Sequence, residues 1–173
     1  MGLRTWWVLG AIAMVMGGNG GRADQEERVF TRVRAADDQF RLLIREGDAR
    51  SMTFRALVDE IQQSNAVVMV QFGLCVKGQV RSCVSHVGGD SRTRTIRILI
   101  NPRTTNDRLI ATIAHELQHA LEIIRQPEIT NGEQVMQLYR RIGTGKCAEG
   151  RSDRCETEAA LAVEKQVLRE LEG

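Results

Sequence analysis

Hydrophobic residues follow helical spacing in the first part of the chain and predict two helices. Steps of three and four residues over positions 25–46 indicate an amphipathic helix that ends at Gly47. Ser51, a residue type that caps helices, precedes a second and shorter helix that ends at Asn65. The residues expected to face the core from these two helices are Val29, Val33, Ala36, Phe40, Leu43, Phe54, Leu57, Val58 and Ile61.

The middle of the chain has the pattern of β-strands. Three runs are rich in β-branched residues: AVVMVQFGLC at 66–75, QVRSCVSHV at 79–87 and TRTIRILI at 93–100. A turn at 88–90 separates the second run from the third, and Asn101 with Pro102 ends the third. We expect these runs to form a short, mostly antiparallel sheet.

Helical spacing returns after Thr104, the predicted cap of a further helix with Asp107 three residues later, and continues to Pro127. Thr130 and Glu133 have the spacing of a capping box and predict a further helix that continues to Gly143. A last helix begins near Glu156 and runs toward the C-terminus. Helices before and after the strand-rich middle of the chain predict an α+β fold. The absence of repeats or composition breaks predicts a single domain.

Residues 1–23 have the layout of a secretory signal peptide. Arg4 precedes an apolar run over 6–16, and small residues lead to an expected cleavage site near Ala23. The run is shorter than the roughly 20 residues that span a bilayer. We therefore expect a mature domain at 24–173 that is secreted or periplasmic, without stable membrane insertion. The alternative is an uncleaved N-terminal membrane anchor.

Charge and cysteine content narrow the function of the mature chain. Removing Arg4 and Arg22 leaves 22 basic and 22 acidic residues, which argues against a general nucleic-acid binder. In an oxidising compartment the four cysteines predict two disulfides, of which the local pairs Cys75–Cys83 and Cys147–Cys155 are the simplest. The competing interpretation, a cysteine-rich zinc site, lacks the short spacing such sites use.

The sequence HELQH at 115–119 carries the chemistry. A spacing of four residues brings His115 and His119 to one helix face, where both can bind one Zn²⁺, while Glu116 can reach a water on the metal. On a helical wheel the histidines lie opposite the apolar stripe, as a metal site at the floor of a cleft requires. The alternative is a pair of surface histidines without a metal. The apolar stripe contains Ile110, Ile113, Leu117, Leu121 and Ile124.

A third ligand is expected from a carboxylate further along the chain, because His86 is the only other histidine. On the wheel of the last helix, Glu156 falls within the apolar arc, whereas Glu158 falls on the solvent side. A carboxylate at the tip of a buried stripe needs a partner, and a zinc ion would be one. The alternative is a carboxylate in the first helical turn, stabilised by the helix dipole.

The strand TRTIRILI, the helix with HELQH and a later helix that begins E-x-E-A resemble zincin metallopeptidases of the gluzincin type, in particular their small one-domain members. The resemblance covers about residues 92–172. It implies that His115, His119 and Glu156 bind one zinc ion. It also implies that Glu116 is the general base on a zinc-bound water, and that the edge-like strand pairs with an extended peptide substrate.

The chain departs from this family at one position and leaves the oxyanion donor open. Several gluzincins have an Asp, four residues after the ligand Glu, that supports a zinc-bound histidine; this chain has Ala160 there. Either Glu122 or a main-chain carbonyl replaces it, or the support of the zinc-bound histidine is weak. Tyr139 and His86 are candidate donors to the transition state, although a Tyr at helical spacing with apolar residues is typical of a core.

The sequence thus predicts a zinc-dependent peptidase that acts on a peptide or protein, and no nucleic-acid partner. One alternative is a noncatalytic zincin-like module of the cell envelope; the presence of Glu116 argues against it. Another is a zinc amidohydrolase that acts on a non-protein amide. Both tryptophans lie within the signal-like segment, so the mature domain has few aromatic side chains for binding cell-wall sugars.

Overall fold

The computed structural model describes residues 28–75, 81–90, 92–101, 103, 106–144 and 155–173. These residues form the predicted α+β fold, with five helices and one four-stranded sheet in the described part. The elements are β1 (Val33–Ala35), α1 (Asp38–Arg50), α2 (Met52–Gln62), β2 (Ala66–Phe72), β3 (Ser82–Gly89), β4 (Arg94–Ile100), α3 (Asn106–Ile124), α4 (Gly132–Ile142) and α5 (Glu158–Glu172).

The segment before α2 differs from the prediction of one helix over 25–46. It contains strand β1 and then α1, which begins after Asp37; the Asp37 carboxylate accepts the backbone N–H of Phe40 and caps the helix. The helix continues past Gly47, where a Cβ would lie 2.8 Å from a ring carbon of Phe54. Gly47 therefore permits close packing of α1 on α2 and does not end the helix.

Helix α2 agrees with the prediction at its start and along its inner face. The Ser51 hydroxyl accepts the N–H of Phe54 at 3.0 Å and caps the helix. The four residues predicted to face inward are all buried: Phe54, Leu57, Val58 and Ile61. The helix ends at Gln62, three residues before the predicted end at Asn65.

The sheet has the order β1-β2-β4-β3 and is mixed, so the prediction of a mostly antiparallel sheet is wrong. β1 pairs with β2 and β2 pairs with β4 in parallel, and only β3 and β4 are antiparallel. The physical reason is the connection: α1 and α2 form a crossover between β1 and β2, and crossovers join parallel strands. Gly89, with φ of 110°, forms the turn between β3 and β4.

Helix α3 runs through the centre of the fold and packs on α5, α1, α2 and the sheet. Every residue from Leu109 to Ile124 is buried. The surrounding core comes from both helices and strands, and includes Phe40, Phe54, Val68, Ile96 and Ile98. Among the described residues, no helix combines the length and hydrophobicity needed to cross a bilayer.

The last two helices begin one or two residues later than predicted. Asn131, not Thr130, caps α4, because its side chain accepts the N–H of Gln134. Thr157 caps α5, so Glu156 precedes the helix. These shifts matter because they change where Glu156 points.

A disulfide joins Cys75, after β2, to Cys83 on the edge strand β3, as predicted. The second predicted pair includes Cys147, which lies outside the described residues. The predicted signal segment 1–23 and the predicted cap at Thr104 also lie outside them, so these stay predictions.

Candidate metal centre

Helix α3 carries both histidines of the HELQH sequence on one face. His115 and His119 are four residues apart, and their rings meet edge to face with centroids 4.8 Å apart. They are only 6% and 4% exposed, because α5 and the sheet cover this face of α3. The histidines are therefore more deeply buried than the helical wheel indicated and are not surface residues, while metal binding by them stays a prediction.

Glu156 reaches the histidines from the extended segment before α5. Its Oε2 lies 2.9 Å from His115 Nε2 and 3.8 Å from His119 Nε2. One ligand atom from each of the three residues lies within 4.8 Å of the others, so the group can hold a metal ion. The structure thus brings Glu156 to the two histidines, but not for the reason given by the helical wheel, since Glu156 is not part of the helix.

The donor atoms of the three side chains lie close together without the directions of hydrogen bonds. Glu156 Oε2 is buried and has no hydrogen-bond partner among the described residues, despite its 2.9 Å distance from His115 Nε2. Tetrahedral metal–ligand bonds of about 2.0–2.2 Å separate ligand atoms by about 3.3–3.6 Å, a range that the two Glu156 distances bracket. Two imidazoles and a carboxylate suit a divalent transition-metal ion, so the residues fit such a group.

The charges of the three groups are complementary. Burial disfavours a charged imidazole, but the carboxylates of Glu156 and Glu164 outweigh it and raise the pKa of His115 to about 10. Glu122 and Glu156 overcome the same effect of burial and raise the pKa of His119 to about 9. The two histidines in turn lower the pKa of Glu156 to about 2. A metal ion that binds here therefore has to displace protons from the imidazoles.

Glu116 lies beside the three donor residues with a free carboxylate oxygen. It is 3% exposed, and burial raises the pKa of its carboxyl group against the opposing effect of the two histidines. The Ser82 side chain on β3 also opposes this rise in pKa, and Glu116 Oε2 has no hydrogen-bond partner in the described part of the chain. A buried carboxylate with a raised pKa is suited to accept a proton near neutral pH.

Two cavities meet at Glu156 and Ser82. One, of about 110 Å³, has Glu116 and His119 on one wall and residues of α4 on the other. The second, also about 110 Å³, lies on the His115 side of Glu156. A larger cavity of about 330 Å³ lies beside β1 and α1, and none of the site residues line it. The two small cavities therefore give access to the donor group from either side of Glu156.

The outer nitrogen of each histidine, Nδ1, lies on the side away from Glu156 and faces another carboxylate. Glu122 Oε2 lies 2.9 Å from His119 Nδ1. Glu164 Oε2 lies 3.2 Å from His115 Nδ1, but the two atoms are not aligned for a hydrogen bond. Glu122 thus contacts a histidine of the candidate site, as the Asp that is absent at position 160 would be expected to do. Carboxylates at the outer nitrogens leave both Nε2 atoms directed toward Glu156, as in a ligated histidine.

The two candidate transition-state donors lie in different surroundings. Tyr139 lines the Glu116 cavity, and its ring lies edge-on to that of His119 with centroids 5.4 Å apart. Burial raises the pKa of Tyr139 well above its usual range, so the phenol keeps its proton. His86 is exposed on β3 and does not line either of the two small cavities. The structure therefore brings Tyr139 to the site and leaves His86 away from it.

The strand beside the site is β3, not the TRTIRILI strand expected to be at the edge. β4 lies between β2 and β3, whereas β3 is an edge strand of the sheet and contributes Ser82 to the cavities. Sequence reasoning missed Ser82, Thr157 and Glu164. Thr157 had a signal, because a Thr next to a helix start is a common cap; the other two are recognisable only in three dimensions.

The chain matches no protein-family model, no curated protein and no solved structure.

Proposed function

We propose that this protein is a zinc-dependent peptidase in which His115, His119 and Glu156 bind the metal and Glu116 is the general base. One observation carries the proposal. A buried Glu116 oxygen, without a hydrogen-bond partner among the described residues, lies next to a three-donor group and borders the same cavity. A site that only binds metal has no need of this additional buried carboxylate, which is costly unless it is used.

The residues around the site have different roles in the proposed amide hydrolysis. When bound, a zinc ion supplies Lewis acidity toward water and carbonyl oxygen. Glu116 accepts a proton from a water molecule in the cavity and passes it to the leaving amine. The Tyr139 phenol, protonated because of its burial, donates to the main-chain carbonyl of His119 at 3.4 Å, and in the proposed reaction it turns this hydrogen to the oxyanion that develops at the scissile carbonyl.

The proposed substrate is an extended segment of a peptide or protein. In the described part of the chain β3 is hydrogen-bonded to β4 on one side only. Ser82, Cys83 and Val84, at the start of β3, line the Glu116 cavity. A peptide that adds to this edge by main-chain hydrogen bonds would run past Glu116.

The proposed location is outside the cytosol, either secreted or periplasmic. The Cys75–Cys83 disulfide supports this proposal, because such bonds persist in oxidising compartments. Export by the predicted signal segment at 1–23 is part of the proposal, and N-terminal sequencing of the exported protein near Ala23 tests it.

The test of the peptidase proposal is Glu116→Gln. We expect this variant to bind one zinc ion as the wild type does, and to cleave an unfolded protein substrate at least about 100-fold more slowly, since a positioned base contributes about 10²–10⁴-fold. Glu133→Gln, an exposed position on α4, is the matched control and should retain activity. Equal behaviour of the wild type and Glu116→Gln on a broad peptide library would show that the peptidase proposal is wrong.

A further inference from the structure

A buried hydrogen-bond chain joins the start of α5 to His119. The Thr157 hydroxyl accepts the N–H of Ala160 at 3.1 Å and donates to Glu122 Oε1 at 2.6 Å. The other oxygen of Glu122 lies 2.9 Å from His119 Nδ1. Thr157 is 3% exposed and Glu122 is 8% exposed, and both also line a cavity of about 450 Å³.

The donors and acceptors of this hydrogen-bond chain can be assigned in only one way. The main-chain N–H of Ala160 is a donor, so the Thr157 oxygen accepts there and its hydrogen points to Glu122. An ionised carboxylate has no hydrogen to donate. His119 must therefore donate from Nδ1, so that its neutral form has the lone pair on Nε2, the atom that faces Glu156.

Thr157 has a second effect because it follows Glu156 in the chain. The same hydroxyl that caps α5 also contacts Glu122, so it fixes the helix start and, with it, the segment that carries Glu156. We infer that Glu122 and Thr157 are positioning residues. They select the metal-binding tautomer of His119 and fix the position of its ring relative to Glu156. The inference rests on the proposed metal site and does not require peptidase activity.

Glu122→Gln tests the tautomer directly because glutamine has one acceptor and one donor group. If its oxygen continues to accept from Thr157, its NH₂ group faces His119 Nδ1. His119 can then accept at Nδ1 only with its proton on Nε2, where it opposes metal binding. All hydrogen bonds of the chain stay satisfied, so the fold should be retained while the metal site is weakened.

We would measure Zn²⁺ and Co²⁺ affinity by chelator competition, together with ¹⁵N NMR of the histidine rings in the metal-free protein at a pH above the pKa of His119, about 9, where the ring is neutral. Glu122→Gln should bind both metals about 10- to 100-fold more weakly, the range typical for loss of an outer partner, and should show the Nε2–H tautomer. Thr157→Val should also lose affinity, and Thr157→Ser should restore it. Unfolding in the presence of chelator checks that the metal-free variants remain folded.

Glu164→Gln is the matched control, because Glu164 contacts the outer nitrogen of His115 without the alignment of a hydrogen bond. We expect it to lower affinity less than Glu122→Gln does. Wild-type affinity in a folded Glu122→Gln, or an unchanged Nδ1–H tautomer, would overturn the inference and leave the peptidase proposal intact. A wild type that binds zinc without cleaving peptides would overturn the peptidase proposal and leave this inference intact. Failure of the wild type to bind either metal would overturn both.

Discussion

Two glutamates separated by one residue have opposite surroundings. Glu156 has an oxygen 2.9 Å from His115 Nε2, whereas Glu158 is exposed in the first turn of α5. Glu156→Ala should lower zinc affinity more than about 100-fold, since loss of a ligand should exceed the 10- to 100-fold effect of an outer partner. Metal content after dialysis measures this.

Glu158→Ala is the control for the same prediction. It removes a carboxylate of the same kind from the same region but should leave metal content unchanged. If Glu158→Ala lost the metal and Glu156→Ala kept it, the third ligand would have to be reassigned.

Local spacing explains which parts of the site could be predicted. His115, Glu116 and His119 lie within one helical turn and a half, so a helix is enough to define their arrangement. Ser82 and Glu164 come from β3 and α5, and their approach depends on the packing of those elements around α3. Glu156 was selected because a buried carboxylate needs a partner. The helical wheel from which its burial was inferred does not apply, because Glu156 precedes the helix.

Arg94 joins the sheet to the end of the helix that carries the site. It is 1% exposed at the start of β4, and its guanidinium donates to main-chain carbonyls at the C-terminal end of α3 and to Asn65. The C-terminal end of a helix carries partial negative charge, which favours a cation there. The carbonyl acceptors are those of Ile123, Ile124, Gln126 and Ile129.

Arg94→Met should lower the free energy of unfolding by about 3–5 kcal/mol, because several buried carbonyls lose their donor at roughly 1–3 kcal/mol each. Arg97→Met is the control: Arg97 is exposed on the other face of the same strand, and its replacement should change stability by less than about 0.5 kcal/mol. Chemical denaturation of the metal-free proteins measures both. Equal losses would mean that general packing of β4, not the carbonyl contacts, is responsible.

The elements differ in how well the sequence predicts them because some depend on long-range pairing. α2 and α3 have apolar stripes, and the structure has a helix at each of these places, although α2 ends three residues before its predicted end. β1 has three residues and is stabilised by parallel pairing with β2, a partner more than 30 positions away. Val33 fits the spacing of a helix and also faces the core from a strand, so its periodicity could not separate the two.

The C-terminal helix α5 is attached to the junction of α1 and α2 at the far end from the metal-binding group. Arg50 donates to the carbonyl of Leu171 at 2.6 Å, and Glu170 accepts from Ser51 and Thr53. Because α5 begins directly after its cap Thr157, these contacts also help to hold the segment that carries Glu156. The stability of the molecule and the position of the third ligand are therefore connected through one helix.

Glu170 makes this attachment dependent on pH. Although burial opposes it, hydrogen bonds from Ser51, Gln166 and Thr53 lower the pKa of Glu170 to about 2. A carboxylate whose pKa is lower in the folded than in the unfolded state stabilises the fold above the unfolded pKa, about 4.5, and loses this contribution as the pH falls toward 2. Glu170→Gln should cost about 1–2 kcal/mol at pH 6, since glutamine replaces only one of the two acceptor oxygens.

The difference between the wild type and Glu170→Gln should then shrink between pH 5 and pH 2, as both carry a neutral group at this position. Urea denaturation with chelator present, at pH 6 and pH 3, measures it without interference from metal binding. Glu172→Gln, an exposed position one residue before the C-terminus, should show little difference at either pH. A Glu170→Gln deficit that stays constant with pH would show that the shape of the side chain, and not its charge, attaches α5 to the α1–α2 junction.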